Sequence, residues 1–256
     1  MYEKPQAPAS IGGVLDDGFK LFRAAFPKVV ILTVVATVVS QLPSYLLTAS
    51  IGEDGLPNVG AAFGITMLVT TLFGMLIYAA VVSRISRIHD GRDMSLGDAL
   101  GAGLACMLPL AVCLLLYSLA VTVGMLLLLI PGLILVVTLA FAPYVLVVEG
   151  GGMVGSLRQS HRLVWGNYWR TSAIMLIAGF ILMVAYVVVG VVLGVVIAMS
   201  PEAGLGMALV ETLVSGAMLG LVTPLFYTLS MAAYYDLRLR KEGDDLADRI
   251  AAPAPA

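Results

Sequence analysis

Residues 99–148 read ALGAGLACMLPLAVCLLLYSLAVTVGMLLLLIPGLILVVTLAFAPYVLVV, fifty consecutive positions without Asp, Glu, Lys, Arg or His. One unbroken α-helix of that length would extend about 75 Å, at ~1.5 Å per residue. The hydrocarbon core of a bilayer is only ~30 Å thick, which about 20 residues cross. We therefore predict that this stretch folds back as a helical hairpin. Its break is expected between Gly124 and Gly132, close to Pro131.

Four other charge-free stretches are each long enough for one span: residues 29–52, 55–83, 171–201 and 212–235. With the hairpin, they predict an all-α integral membrane protein whose membrane domain covers residues 28–235. Its six transmembrane helices are expected at about 29–51, 60–83, 104–128, 131–148, 171–199 and 211–234. Runs such as LLLLI at 126–130 do not alternate apolar and polar side chains, so they do not fit a membrane β-barrel.

The composition supports this fold class. Hydrophobic residues make up 60% of the chain and charged residues 12%, whereas soluble domains carry roughly 45–50% apolar and about 25% charged residues. This balance excludes a soluble globular enzyme and a nucleic-acid binder with a basic surface.

The basic residues are distributed unevenly between the two predicted sides of the membrane. All 14 Lys and Arg residues lie in segments 1–28, 84–98, 149–170 and 236–256, which six spans place on one side. Because positively charged loops are retained in the cytoplasm, we expect both termini to be cytoplasmic.

Amphipathic segments flank some spans. Residues 1–8 are expected to be a flexible tail, and residues 9–27 a cytoplasmic helix on the membrane surface, with Ser10 as N-cap and Pro27 separating it from the first span. Residues 155–170 resemble residues 13–28, and a weaker third copy begins at Ser95. These copies suggest three repeats of an interfacial helix followed by a helical hairpin, although chance similarity is the alternative. Residues 236–256 are expected to form a cytoplasmic tail.

One group of charged residues is a candidate site on the cytoplasmic side. It comprises Glu149, Arg158, His161, Arg162, Asp236, Arg238 and Arg240. These charges could pair with one another and lock the surface helices to the bundle, or they could contact lipid headgroups or a partner. Trp165, Tyr168 and Trp169 are expected to anchor the chain at the interface, where neighbouring Lys and Arg suit anionic lipid.

The sequence predicts no catalytic, cofactor or metal site. Only two histidines are present, at positions 89 and 161, and the chain has no Cys-x-x-Cys, phosphate-binding loop or Gly-x-Ser-x-Gly elbow. Cys106 and Cys113 lie seven residues apart on one predicted helix, about 10 Å along its axis, which is too far for a disulfide.

Several strings resemble the membrane-domain family of glycerophosphoryl diester phosphodiesterases and related uncharacterised bacterial multi-pass membrane proteins. They are IGGVLDDGFKLF at 11–22, IPGL at 130–133, APYVLVVE at 142–149, SLRQSHRLVWGNYWR at 156–170 and YDLRLRKEG at 235–243. The resemblance implies a bacterial inner-membrane protein. In the enzyme that names the family, a separate soluble barrel carries hydrolysis. This sequence has no room for such a barrel, so the resemblance does not imply phosphodiesterase activity here.

Three functions are compatible with these features. The favoured one is a non-enzymatic accessory or scaffold protein that organises lipid or binds a protein partner, or a second copy of itself, at the cytoplasmic face. The alternative is a transporter or channel for a lipid-like or apolar solute. An intramembrane enzyme would have only Glu149, His161 and Asp236 as candidate catalytic groups.

Overall fold

The computed structural model describes residues 2–51, 60–199 and 204–251. It is all-helical, with 87% helix. The described residues include six helical segments long and apolar enough to cross a membrane. The helices are α1 (Ile11–Ser40), α2 (Leu42–Ala49), α3 (Ala61–His89), α4 (Leu96–Leu127), α5 (Leu129–Thr138), α6 (Ala142–Glu149), α7 (Met153–Val164), α8 (Tyr168–Ala198) and α9 (Gly204–Ala251).

The long apolar stretch does fold back as a hairpin. The break is a single extended residue, Leu128, between α4 and α5, inside the interval that the sequence predicts. Gly124 and Gly132 face each other at the turn, where a Cβ built on Gly124 would lie 3.0 Å from the Cα of Gly132. The two glycines therefore let the antiparallel helices meet at the tip.

The N-terminal amphipathic segment is not a separate surface helix, so that prediction was wrong. Ser10 does cap the helix, accepting a hydrogen bond from the Gly13 N–H, but α1 continues through Pro27 to Ser40. Its apolar face is buried in the bundle at Val14, Leu21 and Ala25, mainly against α9. Burying this face against another helix removes the apolar surface that would otherwise have rested on the bilayer.

The close contact between α1 and α9 depends on a Gly-x-x-x-Gly-x-x-x-Pro pattern in α9. Pro224 has no N–H, so the carbonyl of Gly220, four residues earlier, lacks its usual helical partner. The Thr33 hydroxyl of α1 donates to that carbonyl at 2.8 Å, and the Thr37 hydroxyl donates to the Gly216 carbonyl at 2.6 Å. Helix α9 continues through Pro224 without a break.

The fourth span is interrupted just before Pro143. Helix α5 ends at Thr138 and α6 begins at Ala142. The fully buried Ser160 of α7 bridges the gap, donating to the Thr138 carbonyl at 2.8 Å and accepting from the Phe141 N–H at 3.1 Å. A side chain of α7 therefore replaces backbone hydrogen bonds that the interrupted span cannot make.

Replacing Ser160 with alanine should lower the free energy of unfolding by about 2 kcal/mol, because it leaves a buried donor and a buried acceptor unpaired. Thermal unfolding in detergent would measure the loss. Ser118→Ala is the matched control, since Ser118 is exposed and bonds only within its own helix, to the Leu115 carbonyl. Equal melting temperatures for the two variants would contradict the bridging role.

The two ends of the chain also differ from their predicted form. Residues 1–8 are expected as a flexible tail, but the described residues 2–8, with Ala9 after them, are held against the bundle by side-chain contacts of Lys4 and backbone contacts of Ala9. Helix α9 extends without interruption beyond the expected end of the last span. Residues 252–256 lie outside the described residues, as do 52–59 and 200–203, which cover most of one predicted outer loop and part of another.

The three proposed repeats do not share one structure. The first and third copies run directly into their spans as α1 and α4. In the second copy alone, a separate helix, α7, precedes the span, and residues 165–167 divide it from α8. The predicted arrangement of an independent surface helix followed by a hairpin therefore holds at most for the second copy, in which α7 is followed by α8 and α9.

Candidate functional site

One end of the bundle collects almost all the described ionic contacts. We call it the charged end. It is formed by residues 2–9, the C-terminal ends of α3 and α6, helix α7, the start of α8 and the last turns of α9. The largest hydrophobic cluster lies beneath it and draws side chains from α1, α3, α6, α7, α8 and α9. The polar groups of the charged end thus lie directly above this hydrophobic cluster.

Asp236 is the most buried charged group at this end, with 6% of its side chain exposed. Its carboxylate accepts hydrogen bonds from Arg170 and from Arg240, both at 3.0 Å, and from the Ala9 N–H at 2.8 Å. The same two guanidinium groups donate to the Ala9 carbonyl, each at 2.6 Å. These contacts tie α8, α9 and the N-terminal segment together at one point, which we call the Asp236 node.

Glu149 ends α6, where a carboxylate meets the negative end of the helix dipole. Compensating donors surround it: the Tyr234 hydroxyl, the Gln159 amide at 2.5 Å and the Arg238 guanidinium at 3.9 Å. The next residue, Gly150, has φ of 68°, a left-handed conformation that glycine adopts without strain. The chain can therefore turn from α6 into α7 while Glu149 stays bound to both α7 and α9.

His89, at the end of α3, lies among aromatic rings. It stacks on Tyr235 with ring centroids 3.6 Å apart and an interplanar angle of 1°, and the centroid of the tilted Tyr2 ring lies 5.6 Å from that of His89. The Tyr235 hydroxyl and the Ser86 hydroxyl are hydrogen-bonded at 2.9 Å. This stack joins α3 to α9 and brings the N-terminal segment over both.

Two ion pairs fasten the loop after α3. Lys4 lies 3.0 Å from Asp90, and Lys28 lies 2.8 Å from Asp93. Burial opposes the ionisation of Asp90, but the hydrogen bond and charge of Lys4 outweigh it and lower the pKa of Asp90. The hydrogen bond from Lys28 lowers the pKa of Asp93. Both carboxylates are therefore charged at neutral pH and hold the loop against α1 and residues 2–9.

Helix α7 has two different faces. Ser156, Ser160, Leu163 and Val164 are buried in the bundle. The opposite face exposes Val154, Arg158, Arg162 and Trp165, which follow one another at helical spacing. Trp169, in the first turn of α8, is 84% exposed. We call these five exposed residues the α7–α8 surface.

The predicted site residues thus fall into two groups. Asp236 and Arg240 meet in the Asp236 node, and Arg238 lies between Glu149 and Glu242. Arg158 and Arg162 lie on the exposed face of α7, and the His161 ring lies 5.1 Å from that of Trp165. Of the predicted anchors, Trp165 and Trp169 are exposed, whereas the Tyr168 hydroxyl donates to the Leu133 carbonyl at 3.4 Å.

Sequence reasoning missed Arg170, Gln159, Lys4 and the Tyr2–His89–Tyr235 stack as parts of the charged end. Arg170 lies in the quoted 156–170 stretch, but its spacing from Asp236 along the chain carries no signal of a contact. The i, i+4 spacing of Asp236 and Arg240 is the one local signal in the node. Among the described residues, no group of three or more His, Cys, Asp or Glu is placed to hold a metal ion.

Residues 60–219, more than half of the chain, match a family described as Uncharacterised protein family (UPF0259). The chain belongs to the UPF0259 family. A UPF0259 membrane protein of Pectobacterium carotovorum subsp. carotovorum is 33% identical over 98 residues, 38% of this chain and 39% of that protein. Another, of Photorhabdus laumondii subsp. laumondii, is 22% identical over 207 residues, 66% of this chain and 81% of that protein. The match thus spans about two fifths of the first relative's length.

These UPF0259 relatives support the coarser part of the predicted resemblance, to uncharacterised bacterial membrane proteins. They do not show the link to the glycerophosphoryl diester phosphodiesterase membrane domain. No solved structure matches the chain. The charged end combines residues from within and outside the matched region, since the Asp236 node joins Arg170 to Ala9 and Asp236.

Proposed function

We propose that this UPF0259 chain is a non-enzymatic accessory or scaffold protein of the bacterial inner membrane. In this proposal, its charged end faces the cytoplasm and binds anionic lipid through the α7–α8 surface. The observation that carries the proposal is the two-sided character of α7, which is fixed to the bundle by one face and presents arginine and tryptophan on the other.

The rigid attachment of α7 supports a recognition role. Ser160 bonds across the break in the fourth span, and Gln159 bonds to Glu149. The side chains on the outer face are therefore held at a set position relative to the spans. A pre-organised surface loses less conformational entropy on binding than a flexible one.

The chemistry of the outer face suits an anionic bilayer surface. Tryptophan is favoured at the headgroup level, and each Lys or Arg near an anionic leaflet contributes about 1 kcal/mol to membrane attraction. Val154 and Trp165 bracket Arg158 and Arg162 along one helix face. Apolar and basic groups at that spacing can contact acyl chains and phosphate groups together.

The transport alternative has weaker support. The cavity between α1, α3 and α9 within the spans is about 160 Å³, and its lining includes Thr33, Ile77 and Tyr227. Ligand sites for drug-sized molecules are typically about 300–1,000 Å³. This cavity is therefore small for a lipid-like solute in the described conformation.

The test is native mass spectrometry of protein released from nanodiscs that contain phosphatidylcholine and phosphatidylglycerol in equal amounts. We expect the wild-type protein to retain phosphatidylglycerol preferentially. Replacing Arg158 and Arg162 together with glutamine should reduce that preference about thirtyfold, since two charges contribute roughly 1 kcal/mol each. Arg92→Gln, an exposed arginine at the same end but away from α7, should leave the preference unchanged.

Several outcomes would overturn the proposal. They are equal retention of the two lipids, an unchanged preference in the double variant, and flux of an apolar solute through vesicles above empty controls. A stoichiometric protein bound in place of lipid would replace the lipid role with a partner role.

The orientation can be tested separately. In a background with Cys106 and Cys113 replaced by alanine, Arg158→Cys should resist a membrane-impermeant maleimide added to spheroplasts, and Ile51→Cys, at the opposite end, should react. The reverse pattern of labelling would place the α7–α8 surface outside the cytoplasm and would contradict the proposal.

A further inference from the structure

A cavity of about 570 Å³ lies at the charged end beneath residues 2–9, which we call the N-terminal strap. Its walls come from the strap, the end of α3 and the C-terminal part of α9, with contributions from α1, α4 and α6, and they include Arg87, His89 and Arg238. We propose that this cavity is a binding site for a phosphate group, with Arg87 and Tyr2 as its principal donors. This site is distinct from the α7–α8 surface, since no residue of that surface lines it.

Two polar atoms of the cavity wall are buried without a hydrogen-bond partner. They are the Tyr2 hydroxyl and His89 Nδ1. The His89 side chain is 2% exposed, and the nearest carboxylate, that of Asp90, lies 3.5 Å from its Nδ1. Buried polar atoms in proteins are nearly always paired, so an unpaired one beside a cavity points to a bound group.

The protonation of Tyr2 favours an acceptor as that group. Burial, with the nearby charge of Asp17, raises the pKa of Tyr2 above its ordinary value. The hydroxyl therefore stays protonated at neutral pH and can donate a hydrogen bond into the cavity. An oxyanion of the ligand would satisfy this donor.

The cavity wall carries the carboxylates of Asp17, Asp90, Asp236 and Glu242 and the cations of Lys4, Arg87 and Arg238. Each of these carboxylates has a cation beside it: Asp17 lies 3.6 Å from Lys20, which also pairs with Asp16 at 2.6 Å, Asp90 lies 3.0 Å from Lys4, Glu242 lies 2.8 Å from Arg238, and Asp236 contacts Arg170 and Arg240. Arg87 forms no ion pair within the described part of the chain. Arg87 is exposed and lines the cavity, so its guanidinium can receive an anion with little loss of solvation.

The hydrogen-bond donors and the volume of the cavity indicate which kind of anion would bind. A guanidinium offers parallel N–H donors that match two oxygens of a phosphate group. A cavity of about 570 Å³ lies in the size range of small-molecule sites and leaves room for the group that carries the phosphate. Both a lipid headgroup and a soluble phosphate compound present this chemistry.

Isothermal titration calorimetry on the full chain in phosphatidylcholine nanodiscs tests the site. The two probes are inorganic phosphate and dihexanoyl phosphatidic acid, a short-chain lipid with a phosphate monoester headgroup. We expect at least one probe to bind, with the dissociation constant raised tenfold or more by Arg87→Gln and about threefold by Tyr2→Phe. Arg92→Gln, which removes an arginine outside the cavity wall, should bind as the wild type does.

Each outcome either supports or overturns the proposed phosphate site. Binding of phosphatidic acid alone supports the site and assigns it to lipid headgroups, whereas binding of inorganic phosphate supports it and assigns it to soluble phosphate compounds. Failure of both probes overturns the proposal, as does wild-type affinity in Arg87→Gln. Because Arg87 is exposed and Tyr2→Phe keeps the ring, neither substitution should prevent folding.

Discussion

Asp236→Asn should lower the free energy of unfolding by about 3 kcal/mol, because removing one partner of a buried ion pair leaves the other charges uncompensated. The carboxylate is 6% exposed, and its partners Arg170 and Arg240 are 19% and 27% exposed. An asparagine of the same shape would still accept a hydrogen bond but would no longer balance two guanidinium groups. Thermal unfolding in detergent would measure the loss.

The same substitution should also release the N-terminal strap. The Ala9 N–H is held by Asp236, and the Ala9 carbonyl by the two arginines that Asp236 positions. Hydrogen exchange of the peptide covering residues 2–9 should become at least tenfold faster in Asp236→Asn. Exchange in the hairpin of α4 and α5, remote from the node, should change little.

Glu242→Gln is the matched control. Glu242 lies on the same helix and pairs with Arg238, but its side chain is 60% exposed, and exposed ion pairs contribute only about 0–1 kcal/mol. Equal effects of Glu242→Gln and Asp236→Asn on the melting temperature and on hydrogen exchange of residues 2–9 would contradict the conclusion that the Asp236 node holds the N-terminal strap in place.

Gly220→Val should cause a comparably large loss, of about 3 kcal/mol or more, because overpacking a tight interface forces the backbone to move. A Cβ at position 220 would lie 2.4 Å from the Cα of Val34 and 2.6 Å from the Thr37 hydroxyl. Moving α1 away to relieve the clash would also break the bond from Thr33 to the Gly220 carbonyl. Melting temperature and the yield of folded protein would report the effect.

Other glycines provide a graded comparison. A Cβ at Gly216 would lie 2.7 Å from the Cα of Val38, whereas Gly190 and Gly194 in α8 have open space around them. Valine at Gly216 should therefore also destabilise the fold. Alanine at Gly190 or Gly194 should be neutral or stabilising by up to about 1 kcal/mol through helix propensity. Equal effects at Gly220 and Gly190 would contradict a specific α1–α9 contact.

The α1–α9 contact shows how far sequence reasoning reaches in this fold. Gly216 and Gly220 in α9 have the same four-residue spacing as Gly190 and Gly194 in α8, a pattern that can let a helix approach its neighbour closely. Only the first pair meets another helix. The sequence pattern is the same for both pairs, so the difference arises from which helices become neighbours.

The amphipathic segments illustrate the same limit. Helical periodicity over residues 11–26 predicts a helix with one apolar face, and a helix is found there. Periodicity does not identify what covers that face. A lipid surface and a second helix remove the same apolar area from water, and here α9 covers it because the last span extends far enough to pack along it.

The sequence by itself determined the number of membrane-spanning segments, the hairpin and the helical class of this protein. Run length, the cost of charge in hydrocarbon and the break near Pro131 act locally along the chain. Only the tertiary structure decided that Ser160 bridges the interrupted span, that Asp236 holds Arg170 and Ala9, and that Arg87, His89 and Tyr2 meet at one cavity. Those contacts join residues from 19 to 227 positions apart, and a local pattern carries no information about which distant groups will meet.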